Sequence, residues 1–261
     1  MKQSDLMSYA EYSSKEYFAP YTYHLSNGDQ HLYFFGSRHT YNPDDEQISK
    51  LEVFWAEFEV VTKGVQRKLL MEGGKRAILN SKKEAIETGG EIQYAVFLAS
   101  QSGISTESPE PPASHWFQEL AKKFSKDAVA YYDFARTCYQ WNQMDVRPGF
   151  ESYVASFIGS NVKNSGWNDY DFSLEHMREI HHQLFGTDFK EDDKEFFYDV
   201  INPTTSFSII NEVSRADDEG IRDTYILSEI EQYWREGNSL FIIYGLQHAV
   251  ILEGALRKLV A

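Results

Sequence analysis

Short apolar runs alternate with longer stretches of helical periodicity along the first part of the chain. Residues 21–25 and 31–36 flank the sequence SerAsnGlyAsp, in which Asn-Gly accepts a positive φ at little cost, so a β-hairpin is expected there. Apolar runs over 66–71 and after residue 103 predict two further strands. Helical patterns separate them, one after the helix-start sequence at 42–45 and one over 75–102, broken at Gly89 and Gly90. The alternation predicts βαβ units and a mostly parallel sheet.

The rest of the chain is mostly helical until a strand pattern returns near its end. Amphipathic segments fill 113–237, residues 239–245 form a continuous apolar run, and residues 246–258 have helical spacing. We therefore expect a single α/β domain over 1–261, with a central, mostly parallel sheet flanked by helices. Residues 113–237 are expected to form a helical insertion or cap between the third and last core strands.

Composition narrows the classes of partner and compartment. The 261 residues carry a formal charge of −15, whereas phosphate backbones are bound by clustered Lys and Arg, so no nucleic-acid partner is expected. Cys138 is the single cysteine and cannot form an intramolecular disulfide, which favours a cytoplasmic location. The first twelve residues have no apolar leader and no apolar run reaches membrane-spanning length, so we expect neither a signal peptide nor a membrane partner. The oligomeric state is left open.

A different polar residue follows or ends each predicted core strand. These residues are His39, Glu72, Glu107 and His248. Because ligands of open α/β sheets lie beyond the carboxyl ends of the strands, the four side chains are expected to converge on one cleft.

The two histidines share the sequence Gly-x-x-His, which begins at Gly36 and at Gly245. Glycine permits a sharp turn from strand to helix, and a helix start would keep the ring neutral. The spacing alone is weak, since 16 Gly and 8 His give roughly half an occurrence by chance. A further copy, ending at His31, lies in the hairpin turn and is assigned no chemistry. The preceding strand and following helix therefore carry the prediction.

Two histidines and nearby carboxylates suit hydrolysis in two ways. A neutral histidine takes a proton from water, alone or with Glu72 orienting it. Alternatively, His39, His248 and Glu72 hold a divalent Mn, Zn or Fe ion that lowers the pKa of a bound water. Structural interpretations stay open: the histidines as hydrogen-bonded strand-end residues, and Glu72 and Glu107 as helix caps. The metal requirement, including none at all, is left open.

Other residues carry weaker signals. Arg222, on a predicted helix, suits an oxyanion or a substrate carboxylate, but it also has neighbouring acids with which to pair. The spacing of the remaining histidines predicts a solvated helix face and no metal site; these are His176, His181 and His182. The sequence contains no motif typical of serine hydrolases, zincins or zinc fingers.

Five short motifs, in order between about residues 32 and 257, carry a family resemblance. They are GlySerArgHis at 36–39, MetGluGly at 71–73, GlyGlyGluIle at 89–92 followed by Ala95, Ala99 and Gly103, ArgAsp at 222–223, and TyrGlyLeuGlnHis at 244–248. Together they resemble the TraB-like, TIKI and erythromycin esterase-like superfamily, to which ChaN-like proteins also belong. This chain departs from TraB-like patterns in Ser-Arg before His39 and Leu-Gln before His248, and it lacks the Glu that esterases carry in the first motif.

The resemblance implies an α/β fold with both Gly-x-x-His turns at one cleft. Members include metal-dependent peptidases, metal-free esterases and a haem-binding branch. It implies that His39 and His248 are the central histidines, Glu72 and Glu91 the acids, and Arg222 the arginine. The supporting positions are expected to be Gly36, Arg38, Glu91, Glu107 and Gly245. We expect a hydrolase that cleaves an ester or amide bond of a small-molecule or peptide substrate; the alternative is a non-catalytic protein that binds a ligand such as haem or has a regulatory role on the same fold.

Overall fold

The protein is described from a computed structural model, which describes residues 3–144 and 147–261. The chain divides into two compact units. The first unit comprises Met1–Glu110 and Asp223–Ala261, and the second comprises Pro111–Arg222. The segment expected to be a helical insertion, 113–237, shares most of its residues with the second unit, but its last part, from Asp223, belongs to the first.

The first unit is built around a five-stranded sheet within the described residues. Its strands are β1 (Tyr21–Asn27), β2 (Gln30–Ser37), β3 (Arg67–Met71), β4 (Ser105–Glu107) and β5 (Ser239–Gly245). Their spatial order is β1-β2-β5-β3-β4, with β1 antiparallel to β2 and all other neighbours parallel. The predicted α/β class, with a mostly parallel sheet flanked by helices, is confirmed.

The helices occupy most of the remaining chain. They are α1 (Tyr9–Ser13), α2 (Glu46–Val61), α3 (Lys82–Gln101), α4 (Ala113–Ala121), α5 (Lys126–Asn142), α6 (Phe150–Ser165), α7 (Leu174–Phe185), α8 (Lys194–Ile201), α9 (Ile209–Asp217), α10 (Asp223–Arg235) and α11 (Leu246–Val260). A π-helical segment, Asp218–Arg222, joins α9 to α10. No helix in the described part of the chain is both long enough and apolar enough to cross a bilayer.

Helix α3 begins later than its periodicity predicts. Its first residue is Lys82, because the Ser81 side chain accepts the backbone N–H of Glu84 and caps the helix there. Residues 72–80 form a loop instead of the expected first turns. The expected break is present at Gly90, which has non-helical backbone angles inside α3.

Both faces of the sheet are covered, which explains the unbroken apolar runs of its central strands. One face packs Phe35 and Phe241 against residues of α2 and α3 such as Trp55 and Val96. The other face buries a second cluster, contributed by the strands and by α10 and α11, that includes Phe34, Ile242, Ile226, Ile230 and Leu252. Helix α10 thus belongs to the first unit because its apolar side chains lie in this sheet cluster.

Close packing of α11 on the sheet requires Gly36. A Cβ at this position would lie 2.5 Å from the Ala249 Cβ and 3.0 Å from the Tyr21 carbonyl oxygen. Neither atom belongs to a flexible side-chain end, so a larger residue would push α11 away from β2. This glycine, predicted to support the first histidine turn, is therefore explained by helix packing.

The second unit is helical and has its own core. Buried residues of α5 lie at its centre, among them Cys138, which is a free thiol. His181 is also buried, and its Nδ1 lies 2.6 Å from the Tyr131 hydroxyl. The expectation of a solvated helix face is wrong for His181, because it lies on the buried side of α7 together with Met177 and Ile180. His182 is exposed, as expected.

Candidate active site

The parallel register brings three predicted residues to one edge of the sheet. Ser37 of β2 is opposite Gly245 of β5, and Met71 of β3 is opposite Ile243 of β5. These strands are adjacent and run in the same direction, so the residues that follow them, His39, Glu72 and His248, leave the sheet at its carboxyl edge.

His39 is held by Glu91, which comes from the break in α3. The His39 Nδ1 lies 3.0 Å from Glu91 Oε1. Glu91 also accepts the Ser37 hydroxyl at 2.8 Å and the Thr40 backbone N–H at 3.0 Å. Only 1% of Glu91 is exposed, and three donors offset the cost of burying its charge. A carboxylate can only accept a hydrogen bond, so we assign the ring proton of neutral His39 to Nδ1 and the free lone pair to Nε2.

The geometry of this pair depends on Gly90. Its φ of 70° and ψ of −163° interrupt α3 immediately before Glu91. A Cβ on Gly90 would lie 2.9 Å from the Thr40 carbonyl oxygen. Glycine therefore permits both the backbone conformation and the close approach that aims Glu91 at the segment from Ser37 to Thr40.

His39 is exposed at the open end of this arrangement. Its side chain is 57% accessible, and its Nε2 has no hydrogen-bond partner among residues 3–144 and 147–261. The hydrogen bond to Glu91 raises the pKa of His39 above 6.5, Glu72 and the charge of Glu91 raise it further, and burial and Arg76 oppose them. The proton affinity of His39 is therefore increased while one ring nitrogen stays open to solvent.

His248 is the buried counterpart. Only 4% of the residue is exposed, and its Nδ1 lies 2.6 Å from Asp223 Oδ1. Its Nε2 faces Glu72 Oε1 at 3.7 Å, while the other Glu72 oxygen accepts the Gly245 backbone N–H at 2.7 Å. The result is a row of Asp223, His248 and Glu72, with Glu72 fixed by the turn that follows β5.

Asp223 was not among the residues expected to act here. It is fully buried as the first residue of α10, and it reaches His248 across 25 positions of sequence. Its place in the Arg-Asp motif was the available signal, although the resemblance implied a role only for the neighbouring arginine.

Arg38 and Glu107 make their contacts outside this arrangement. The Arg38 guanidinium pairs with Asp45, the N-cap of α2, at 2.8 Å. Glu107 ends β4, and its charge contributes to the raised pKa of Glu229 and of Tyr233 in α10. Arg222 is the last residue of the second unit, where its positive charge acts to lower the pKa of Arg136. The role expected for Arg222 stays a prediction.

The predicted metal ligands do not form a coordination site in this arrangement. No group of three or more His, Cys, Asp or Glu side chains in the described residues is placed to hold a metal ion. The His39 Nδ1 and both ring nitrogens of His248 face carboxylates instead.

Comparison with known proteins finds no matching family model, no matching curated protein and no matching solved structure.

Proposed function

We propose that the protein is a hydrolase of the TraB-like, TIKI and erythromycin esterase-like superfamily, cleaving an ester or amide bond with His39 as general base. The observation that supports this most is the pairing of an exposed imidazole with a buried carboxylate. Glu91 fixes the His39 Nδ1 at 3.0 Å and is itself held by Ser37 and Thr40, so Nε2 is left open to a substrate. This combination of orientation and increased basicity is what general-base catalysis needs.

In the proposed reaction, His39 Nε2 accepts a proton from water as the water oxygen attacks the substrate carbonyl carbon. The imidazolium that forms is stabilised by its hydrogen bond to Glu91 and by the nearby charge of Glu72. As the tetrahedral intermediate collapses, the carbonyl is restored, the bond to the leaving oxygen or nitrogen breaks, and Nε2 returns its proton to that atom. The products are an acid and an alcohol or amine.

The buried row positions Glu72 for this step. Asp223 orients His248, whose Nε2 faces one oxygen of Glu72, and the Gly245 N–H donates to the other oxygen. A carboxylate fixed in this way can accept a hydrogen bond from the attacking water and restrict its approach. Glu72 therefore serves as the orienting acid, and His248 and Asp223 serve as positioning residues.

Small molecules or peptides in the cytoplasm are the proposed substrates. The single cysteine and the acidic composition support this compartment and argue against nucleic acid.

The test is hydrolysis of a panel of esters and peptides by His39→Ala, with His182→Ala as matched control. Both histidines are exposed, at 57% and 66% of their side chains, so neither change should affect folding greatly. His39→Ala should lose about 10²–10⁴-fold in kcat, the usual contribution of a general base. His182→Ala should retain wild-type turnover. Equal activity of wild type and His39→Ala, or no wild-type activity on the panel, would count against the proposal.

A further inference from the structure

Strand β1 is an outer strand of the sheet, and its free edge is long and unprotected. It pairs with β2 without interruption from Tyr21 to Asn27, and with no other strand among the described residues. Exposed edges of natural sheets usually carry a charge, a proline or a bulge, because their unpaired N–H and C=O groups can pair with another strand. The seven residues of β1 include no Asp, Glu, Lys, Arg or Pro, and their continuous register contains no bulge.

The opposite edge of the sheet has the protection that β1 lacks. Strand β4 has only three residues, and the last of them is Glu107. Prolines follow at positions 109, 111 and 112, and a proline has no backbone donor to offer a neighbouring strand. One edge of the sheet is therefore closed to pairing, whereas the β1 edge is open to it.

The register shows which backbone groups of β1 are free. Asn27 and Gln30 close the two-residue hairpin turn and therefore form a hydrogen-bonded pair. Because such pairs alternate along an antiparallel ladder, every second residue back from Asn27 also bonds to β2. The residues between them, Thr22, His24 and Ser26, direct their N–H and C=O groups outward, where these groups meet no partner in the described part of the chain. The side chains of all three are exposed.

A second copy of the same strand matches this edge. Antiparallel pairing about a two-fold axis at His24 places Thr22 opposite Ser26 of the second copy, and each facing pair exchanges two backbone hydrogen bonds. Facing Thr and Ser side chains add a favourable contact. Burial and His31 lower the pKa of His24 below 6.5, although Glu57 acts against them, so the two His24 rings meet uncharged at neutral pH.

Charges beside the strand are complementary in the same arrangement. The register set by the axis brings the hairpin turn of the second copy, which carries the exposed Asp29, next to Pro20. Lys50 of α2 lines the same surface groove as Pro20 and Thr22. Its ion pair with Glu46, at 3.1 Å, is exposed and weak, so the ammonium group can also pair with Asp29 of the second copy. The two-fold axis repeats this contact at the other end of the interface.

We infer that β1 is the interface of a homodimer, in which two sheets join edge to edge into one continuous sheet. The occupant of the edge is a second copy because the strand is self-complementary in its backbone, its side chains and its neighbouring charges. The chain has a formal charge of −15, and the uncharged strand lets two copies meet without like-charge repulsion along it. Phe18 supports the same interface, since it is 70% exposed just before β1, where the hairpin of the second copy would cover it. The interface does not depend on the proposed hydrolysis.

Sedimentation velocity of the full chain, from micromolar to submillimolar concentration, tests the dimer. Wild type should sediment with twice the mass of one chain. His24→Lys places two like charges opposite each other at an exposed position and should be monomeric over the same range. Ser160→Lys adds the same charge at an exposed position of the second unit and should dimerise as wild type does. Circular dichroism should show that both variants are folded.

A charge exchange tests the register and does not depend on His24→Lys. Asp29→Lys and Lys50→Asp should each weaken the dimer about 3–10-fold, because each replaces attraction by repulsion at both ends of the interface. The double variant Asp29→Lys/Lys50→Asp should restore wild-type association. A dimer that folded His24→Lys leaves intact, an equal loss in Ser160→Lys, or no restoration in the double variant would overturn the proposal. A monomeric wild type would overturn it in favour of a peptide strand from another protein on this edge.

Discussion

Gly90→Ala should destabilise the first unit and separate Glu91 from His39. The φ of 70° and ψ of −163° belong to a region that is almost exclusive to glycine, and occupying it with alanine costs about 1–3 kcal/mol. The new Cβ would also lie 2.9 Å from the Thr40 carbonyl oxygen, and relieving such an overlap costs about 1–3 kcal/mol more. The expected loss in the free energy of unfolding is therefore about 2–6 kcal/mol.

Gly103→Ala is the matched control. Gly103 follows α3, has a φ of 64°, and a Cβ there would meet nothing within 4 Å. It should cost only the backbone penalty, about 1–2 kcal/mol. The difference between the two variants contains the contact with Thr40 and the smaller difference between the two backbone penalties.

Two measurements on each variant check the reasoning. Urea denaturation, followed through amide signals of β2 and β5, gives the free energy of unfolding of the first unit. Titration of the His39 ring by NMR reports its hydrogen bond to Glu91. In Gly90→Ala the pKa of His39 should fall toward 6.5, because that hydrogen bond is the largest cause of the increase. Equal destabilisation by both variants, or an unchanged pKa of His39 in Gly90→Ala, would refute the role given to Gly90.

Three further predictions concern pH and packing. Hydrolysis should increase with pH through an apparent pKa above 6.5, because only neutral His39 acts as base, and Glu91→Gln should lower that pKa in the pH–rate profile. Because the pKa of His39 is raised in the folded protein, protonated His39 stabilises the first unit. This stabilisation is fully present below the pKa that His39 has in the unfolded chain, and it is lost as the pH rises through the pKa of the folded protein. Urea denaturation across about pH 5–9 should show this loss. Gly36→Ala should destabilise the first unit by about 1–3 kcal/mol, because its Cβ would lie 2.5 Å from the Ala249 Cβ. Gly254→Ala is the control, since a Cβ there meets nothing within 4 Å, and it should be neutral or stabilising in the same urea denaturation. A greater loss of stability in Gly254→Ala than in Gly36→Ala would contradict the packing argument.

The sheet and its polar edge could be predicted because their signals are local. An apolar run before Gly36 and Gly245 and a helical pattern beyond His248 are visible within a few residues, and these strands lie side by side in the structure. The start of α3 was missed because loop residues 75–80 share its apolar spacing. The cap at Ser81, not the spacing, decides where the helix begins.

Pairings between distant residues could not be predicted in this way. Asp223 meets His248 because α10 packs on the same face of the sheet as α11, and a periodic pattern does not state which helix lies beside which.

The sequence by itself determined the α/β class, the hairpin, and the strand-to-helix turn that carries His248, because backbone geometry and the burial of apolar faces act over short stretches of chain. The helix start expected at His39 is wrong, since a loop separates His39 from α2, which begins at Glu46. Tertiary structure alone decided which carboxylate serves which histidine. Glu91 pairs with His39 across 52 positions, and Glu72 reaches the Gly245 turn across 173. Hydrogen bonds act over about 3 Å, and only the folded sheet brings such distant residues within that range.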